Sequence, residues 1–153
     1  VSAADLIPDL SGAGFRLEMS GPAPALNPGQ DSFIAIFTGT NPGVSGVRIE
    51  VNLHPTEEAA RAQFGPLAEA LRNPPPELFG RGTSQVDGRP VFEAEEAKSY
   101  VTARPDGQGN LVSSDIYRMG RAVVIIYTLG NDAEAVATVR EDVARAMDKL
   151  APR

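Results

Sequence analysis

The chain has 153 residues, 42% of them hydrophobic, with a formal charge of −6 and a pI near 4.8. This is the size and composition of one domain with a packed core, large enough to bury roughly 68–70% of its unfolded surface without a disulfide or metal staple. The acidic balance excludes a general nucleic-acid binder, which needs a basic footprint; the absence of cysteine excludes thiol nucleophiles, disulfides and Cys-ligated zinc; and no apolar run reaches the roughly 18 residues of a membrane-spanning helix.

Residues 1–13 read as a lead-in whose Leu6, Ile7 and Leu10 tuck against the body, with Pro8 and Gly12 breaking regular structure. Phe15-Arg16-Leu17-Glu18-Met19 alternates apolar and charged residues and predicts a half-buried strand. The stretch from Gly21 to Gly29 carries three prolines and reads as a loop. Phe33 to Thr38 is apolar on both faces, so this strand is covered on both sides or central. After a turn at Asn41-Pro42-Gly43, Val47, Ile49, Val51 and Leu53 alternate with Arg48, Glu50 and Asn52, giving a strand with one wet face.

A first helix is predicted from Thr56, an N-cap followed by Glu57 and Glu58 in the first turn. Ala60, Phe64, Leu67 and Leu71 form its apolar stripe. Asn73-Pro74-Pro75-Pro76 supplies no backbone donor to continue it, and Glu77 to Gly82 is a connector. The second half starts near Thr83. Gln85 to Phe92 reads as strand, tight turn, strand, and Ala94 to Thr102 continues extended. Pro105 to Asn110 has the composition of a hairpin turn. Leu111 to Met119 and Val123 to Leu129 are joined through Gly120 as a second hairpin, the latter apolar on both faces and therefore central. A second helix opens at Asn131 or Asp132, with Val136, Val139, Val143, Met147 and Leu150 as its core stripe; Pro152 ends the chain.

These elements read as one plan used twice. The strand at Val47 to Leu53 and its helix reappear 76 residues on as Val123 to Leu129 and its helix, and the same offset lays Phe15 over Val91. The expected fold is α+β: a single domain over 1–153, a pseudo-duplicated βββα-βββα order, and an antiparallel sheet with two long amphipathic helices forming an α/β/α sandwich. Both helices are expected to lend their stripes to one common sheet.

Gly14-Phe15-Arg16-Leu17 as the opening strand, the strand-to-helix step Leu53-His54-Pro55-Thr56, Gln85-Val86-Asp87-Gly88-Arg89 in mid-chain and Leu129-Gly130-Asn131-Asp132-Ala133 before the closing helix together resemble the PsbP-like superfamily. That superfamily includes small bacterial periplasmic lipoproteins of the DcrB type. The resemblance covers nearly the whole chain at the level of element order. It implies an α/β/α sandwich and a non-enzymatic accessory or binding role outside the cytoplasm. The superfamily has no single catalytic set, so the resemblance assigns no site residue. The Pro-rich loop from Gly21 to Gly29 departs from its pattern.

Four features bear on chemistry. His54, the only histidine, stands at the mouth of the first helix beside Glu57 and Glu58, where it would serve as a metal ligand or general base. The ordinary alternative, which we favour, is a solvent-facing residue at a strand end, since one histidine without cysteine makes no structural zinc site. Glu93, Glu95 and Glu96 form the densest acidic cluster. On an extended strand Glu93 and Glu95 would project from one face about 6.6–7 Å apart, a spacing suited to acid/base work or a hard cation; a solvated face neutralised by Arg89 and Lys98 is the plainer reading. Arg48, Glu50 and Asn52, with Tyr100, Tyr117 and Tyr127, would make a recognition surface or ordinary packing. Asp106 to Asn110 faintly resembles a calcium loop but lacks its alternating carboxylates and terminal Glu.

The functional expectation is a non-catalytic extracytoplasmic module, bacterial by its Arg-rich, Lys-poor composition, that binds a protein or small ligand without a cofactor. The first residue is Val1, and a signal, lipid-attachment site or anchor is expected upstream, so that the module is periplasmic, secreted or membrane-anchored. A monomer or weak homodimer is expected, with no nucleic acid and no membrane insertion by this segment. The alternatives are a small hydrolase-like enzyme using His54 or the Glu93/Glu95 pair, and a protein that self-associates through a sheet edge.

Overall fold

A computed structural model describes residues 1–25, 27–72 and 85–150. Two short 3-10 turns, Ala4–Leu6 and Ser11–Ala13, precede β1 (Phe15–Pro22), β2 (Asp31–Gly39), β3 (Val44–Leu53) and α1 (Glu57–Ala70). Then follow β4 (Gln85–Asp87), β5 (Glu96–Thr102), β6 (Leu111–Met119), β7 (Ala122–Gly130) and α2 (Ala133–Asp148). The seven strands form one sheet in the order β1-β2-β3-β7-β6-β5-β4, and every pairing is antiparallel. The protein is α+β.

The predicted caps are present. Thr56 Oγ1 accepts from the Ala59 amide at 3.1 Å, and Asp132 Oδ1 accepts from the Ala135 amide at 3.0 Å, each satisfying a first-turn donor left over by helix geometry. α1 continues through Pro66 without a break. The β6–β7 hairpin turns on Gly120, whose φ of 56° is one that glycine adopts without steric cost. The triple-proline stop at Asn73 to Pro76, the connector Glu77 to Gly82, the start near Thr83 and the closing Pro152 lie outside the described residues.

Strand alternation decides which helix lies where. On β7, Val123, Ile125 and Tyr127 face one side and join Ala60, Phe64 and Ala68 of α1 and Leu71 at its C-cap, together with Ile116 and Tyr100. Val124 and Ile126 face the other side and join Val136, Val139, Val143 and Met147 of α2, with Val47, Ile49 and Val51 of β3. The two stripes therefore serve one sheet from opposite sides, in two separate apolar clusters. Leu10 and Ala3 of the lead-in extend the α2-side cluster over β1 and β2. Burying Phe64 or Val139 in this way contributes about 1.5–3 kcal/mol each.

Three expectations need correction. First, β3 and β7 are adjacent and antiparallel. A two-fold axis relating two such strands stands normal to the sheet and keeps both following helices on one face, whereas here the helices take opposite faces. The match of Phe15 with Val91 also fails, because Val91 is not in a strand. Second, Gln85 to Phe92 is not a strand-turn-strand unit. β4 is three residues long and pairs with β5, and residues 88–95 run as irregular chain. Third, β1 extends to Pro22, so the loop begins later than Gly21.

Candidate functional site

Residues 88–95 cross the α2 side of the sheet, and the geometry that matters most lies beneath them. Gly88 N donates to Ser99 O at 2.8 Å, Arg140 of α2 donates to Arg89 O at 2.9 Å, and Glu95 N donates to Arg118 O at 3.2 Å. The segment is thus fastened at both ends by bonds to its backbone. Between these ties Phe92 lies on Tyr117, with ring centroids 4.5 Å apart and an interplanar angle of 14°, the offset-stacked arrangement aromatic pairs favour.

Two charge clasps hold this architecture. Arg140 reaches down from α2 to Asp115 of β6, with Nε–Oδ2 at 2.9 Å and Nη2–Oδ1 at 2.6 Å. It also donates to Ser99 Oγ at 3.2 Å, and that hydroxyl bonds Asp115 Oδ1. Asp115 is 1% exposed, and its carboxyl oxygens are satisfied there by a bidentate guanidinium and a hydroxyl. The second clasp is Arg118, 4% exposed, which pairs with Glu96 at 2.6 Å and Glu95 at 3.0 Å and donates to Gly120 O at 3.1 Å.

Between segment 88–95, the β6–β7 hairpin, the C-terminal half of α2 and the lead-in lies a cleft of about 1260 Å³. Its apolar residues include Leu53, Phe92, Ala122, Val124 and Met147; its margin carries five acidic and four basic side chains. Tyr117 lines it and is 6% exposed, and no described residue bonds its hydroxyl. Burial alone pushes that hydroxyl well above the usual phenol range.

The predicted residues fare differently. Glu93 and Glu95 both line the cleft, yet they stand in irregular chain before β5, not on one strand face, so the strand spacing does not apply. Arg118, rather than Arg89 or Lys98, pairs with Glu95 and Glu96 of the cluster. The Gly120 amide bonds Glu95 Oε1 at 3.0 Å and, with Arg118, holds its carboxyl below the usual range. A carboxylate held in this way stays ionised and is a poor proton donor.

His54 is not solvent-facing: it is 2% exposed. The strand end is closed by Arg121, whose carbonyl accepts from the His54 amide at 2.9 Å and whose Nη1 donates to His54 O at 3.2 Å. Its Nε2 has no partner among the described residues, and burial pushes its pKa down. His54 does not line the cleft, whereas its neighbour Leu53 does. Among the described residues no three His, Asp or Glu side chains group as a metal site.

The proposed recognition surface splits. Tyr117 faces the cleft side, while Tyr100 and Tyr127 face α1. There Arg72 lies 5.4 Å over the Tyr100 ring and Arg48 lies 5.6 Å over Tyr127. Tyr127 is pushed up to about 12 by burial. Asn52 is buried rather than wet, bonded to Ser32 and Gln30 at 2.8 and 3.0 Å. The Asp106 loop is a turn, with Oδ1 accepting from the Gln108 and Asn110 amides at 2.8 and 2.9 Å. Sequence reasoning missed the Arg140–Asp115 clasp, although an aspartate inside the otherwise uncharged run Leu111 to Tyr117 was a signal for it.

The extracellular domain of PknH from Mycobacterium tuberculosis shares this fold. Its crystal structure superposes with a TM-score of 0.64 over 96% of this chain and 95% of that one, at 11% identity. No family model and no curated protein matches the chain. Among the described residues, no helix is long and apolar enough to cross a membrane.

Proposed function

We propose that this protein is a non-catalytic extracytoplasmic binding or accessory module that takes its ligand in the cleft beside Phe92 and Tyr117. The observation that carries the reading is the cleft itself: concave, apolar at its base, and walled on one side by a segment fastened at both ends. Preformed concavities of this kind are the usual places for small molecules, at about 300–1,000 Å³. A location outside the cytoplasm is supported by fold alone, through the extracellular domain of PknH. Kinship with the PsbP-like superfamily belongs to the same proposal and rests on element order.

The lack of a catalytic role is supported by how the candidate groups are engaged. Glu95 is held ionised by Arg118 and Gly120, Asp115 is neutralised by Arg140, and His54 is enclosed away from the cleft. The test has two arms. A thermal-shift screen of a broad small-molecule library on the wild type and on Ala144→Trp, which puts an indole into the cleft from the α2 residue that lines it, should give hits that the variant weakens. Ester, phosphate and glycoside panels run on wild type, His54→Ala and Glu95→Gln should give no turnover. Turnover abolished in either variant would establish the hydrolase alternative instead.

A second reading, self-association through a sheet edge, is favoured by one observation. The edge strand β1 exposes Leu17 (51%) and Met19 (62%), and unpaired edges of this kind invite pairing. The charges of Arg16 and Glu18 and the irregular register between Leu17 and Met19 oppose it. Sedimentation showing only monomer across concentration dismisses it.

A further inference from the structure

The chemical class of the ligand follows from how polarity is distributed in the cleft, and this inference rests on the binding-module reading above. The base is built from aliphatic and aromatic side chains of four separate segments: Leu53, Phe92, Ala122, Val124 and Met147. Methionine adapts its shape to irregular apolar partners, so this base accommodates a flexible chain better than a rigid ring system. The volume, 1260 Å³, is at or above the upper end for compact ligands of about 300–1,000 Å³.

Into this base one polar side chain intrudes without a protein partner. Tyr117 is 6% exposed, and its hydroxyl makes no bond to any described residue. A ligand group that bonds this hydroxyl would add about 0.5–1.5 kcal/mol net. The phenol stays protonated across the physiological range because burial disfavours its anion, so it offers one neutral donor and acceptor. No charged side chain belongs to the base. Charges of both signs, among them Arg89, Lys149, Glu93 and Glu141, stand at the margin. A charged head drawn down to Tyr117 would lose its hydration without a counter-charge.

We propose that the cleft binds an uncharged single-chain amphiphile, its apolar chain against Phe92, Val124 and Met147 and its hydroxyl, ester or carbonyl head bonded to Tyr117.

The experiment compares three probes of equal chain length below their micellar concentrations: monodecanoylglycerol, decanoate and decyltrimethylammonium. Each is titrated calorimetrically into wild type, Tyr117→Phe, Ala144→Trp and Leu17→Asp. The neutral probe should bind saturably at one site and more tightly than either charged one. Tyr117→Phe keeps the packing and removes one hydrogen bond, so it should weaken the neutral probe roughly three- to tenfold. Ala144→Trp, which occupies part of the cleft, should weaken binding, and Leu17→Asp, on the far β1 edge, should leave it unchanged. Circular dichroism and a thermal transition on each variant establish that it is folded. Three results overturn the proposal: no saturable binding of any probe, tighter binding of a charged probe, or neutral-probe affinity unchanged in both cleft variants. A polar library hit weakened in Ala144→Trp without amphiphile binding overturns this ligand class and leaves the binding-module reading standing. No hit of any kind in the cleft overturns both.

Discussion

Replacing Arg140 by Met tests the clasp that holds α2 and segment 88–95 to the sheet. In the wild type the guanidinium gives Asp115 two bonds, at 2.6 and 2.9 Å, and reaches Ser99 and the Arg89 carbonyl as well. Met fills much of the same volume but strands a carboxylate that is 1% exposed with one hydroxyl for company. Breaking a buried pair by removing one partner costs about 3–5 kcal/mol. Arg140 is itself 12% exposed, so water can reach part of the gap, and the lower end, about 3 kcal/mol, is expected. That is a large share of a typical stability of about 5–15 kcal/mol and leaves the variant folded. With a urea slope of about 1–3 kcal/mol/M, the midpoint should fall by roughly 1–3 M at pH 7. The double variant Arg140→Met/Asp115→Leu removes both charges and should recover to within about 1–2 kcal/mol of wild type, because no uncompensated charge remains. A single-variant loss below about 1 kcal/mol, or a double variant no better than the single one, would refute the idea that the pair is held by mutual neutralisation.

Two further outcomes are expected. His54 is buried with its folded pKa below the usual 6.5, so the unfolded chain takes up the proton first. Stability should be full above pH 6.5 and fall as pH drops below it, by at most about 1.4 kcal/mol per unit until the folded pKa is reached. Urea titrations at pH 7.5, 6.5 and 5.5 (about one unit apart) read this slope, and because the chain has one histidine, His54→Gln should flatten it; equal slopes would exclude His54 as the source. Gly130→Ala places a Cβ 2.1 Å from the Gly43 carbonyl oxygen, where the β2–β3 turn meets the start of α2. It should lose about 1–3 kcal/mol, a fall in Tm of roughly 3–10 °C by calorimetry, whereas an unchanged Tm would mean that the two backbones part freely.

The elements that carry their own signals were legible. The strand Val123 to Leu129 was recognisable as central because both of its faces are apolar, and both helix caps were readable because Thr56 and Asp132 precede clean 3–4 spacing. Other features depend on partners far along the chain. Val91 and Phe92 look like a strand, yet Phe92 spends its apolar surface on the Tyr117 ring, and Gly88 and Pro90 already interrupt the ladder. His54 reads as wet because it is polar and ends a strand, yet it is buried where that strand end meets Arg121, 67 residues away, whose backbone and side chain bond the His54 backbone. The 76-residue offset aligns the two strand-to-helix steps, but it also lays Phe15 over Val91, which is not in a strand. Of the candidate site, Glu93, Glu95 and Tyr117 were on the page from the start. Their grouping with Val124 and Met147 was not, since it is created by the sheet order.

That order has a consequence for how the chain reaches its final form. β1, β2 and β3 form one meander of neighbours, and β5, β6 and β7 form another. The seam between the meanders is made by β3 and β7 alone, nine register pairs linking residues 44–53 with 122–130. During synthesis the inner edge of β3 therefore stays bare until the last strand emerges. The N-terminal meander waits for that strand with Val47, Ile49 and Val51 uncovered by α2, and late long-range pairing of this kind is in general slow and exposed to aggregation.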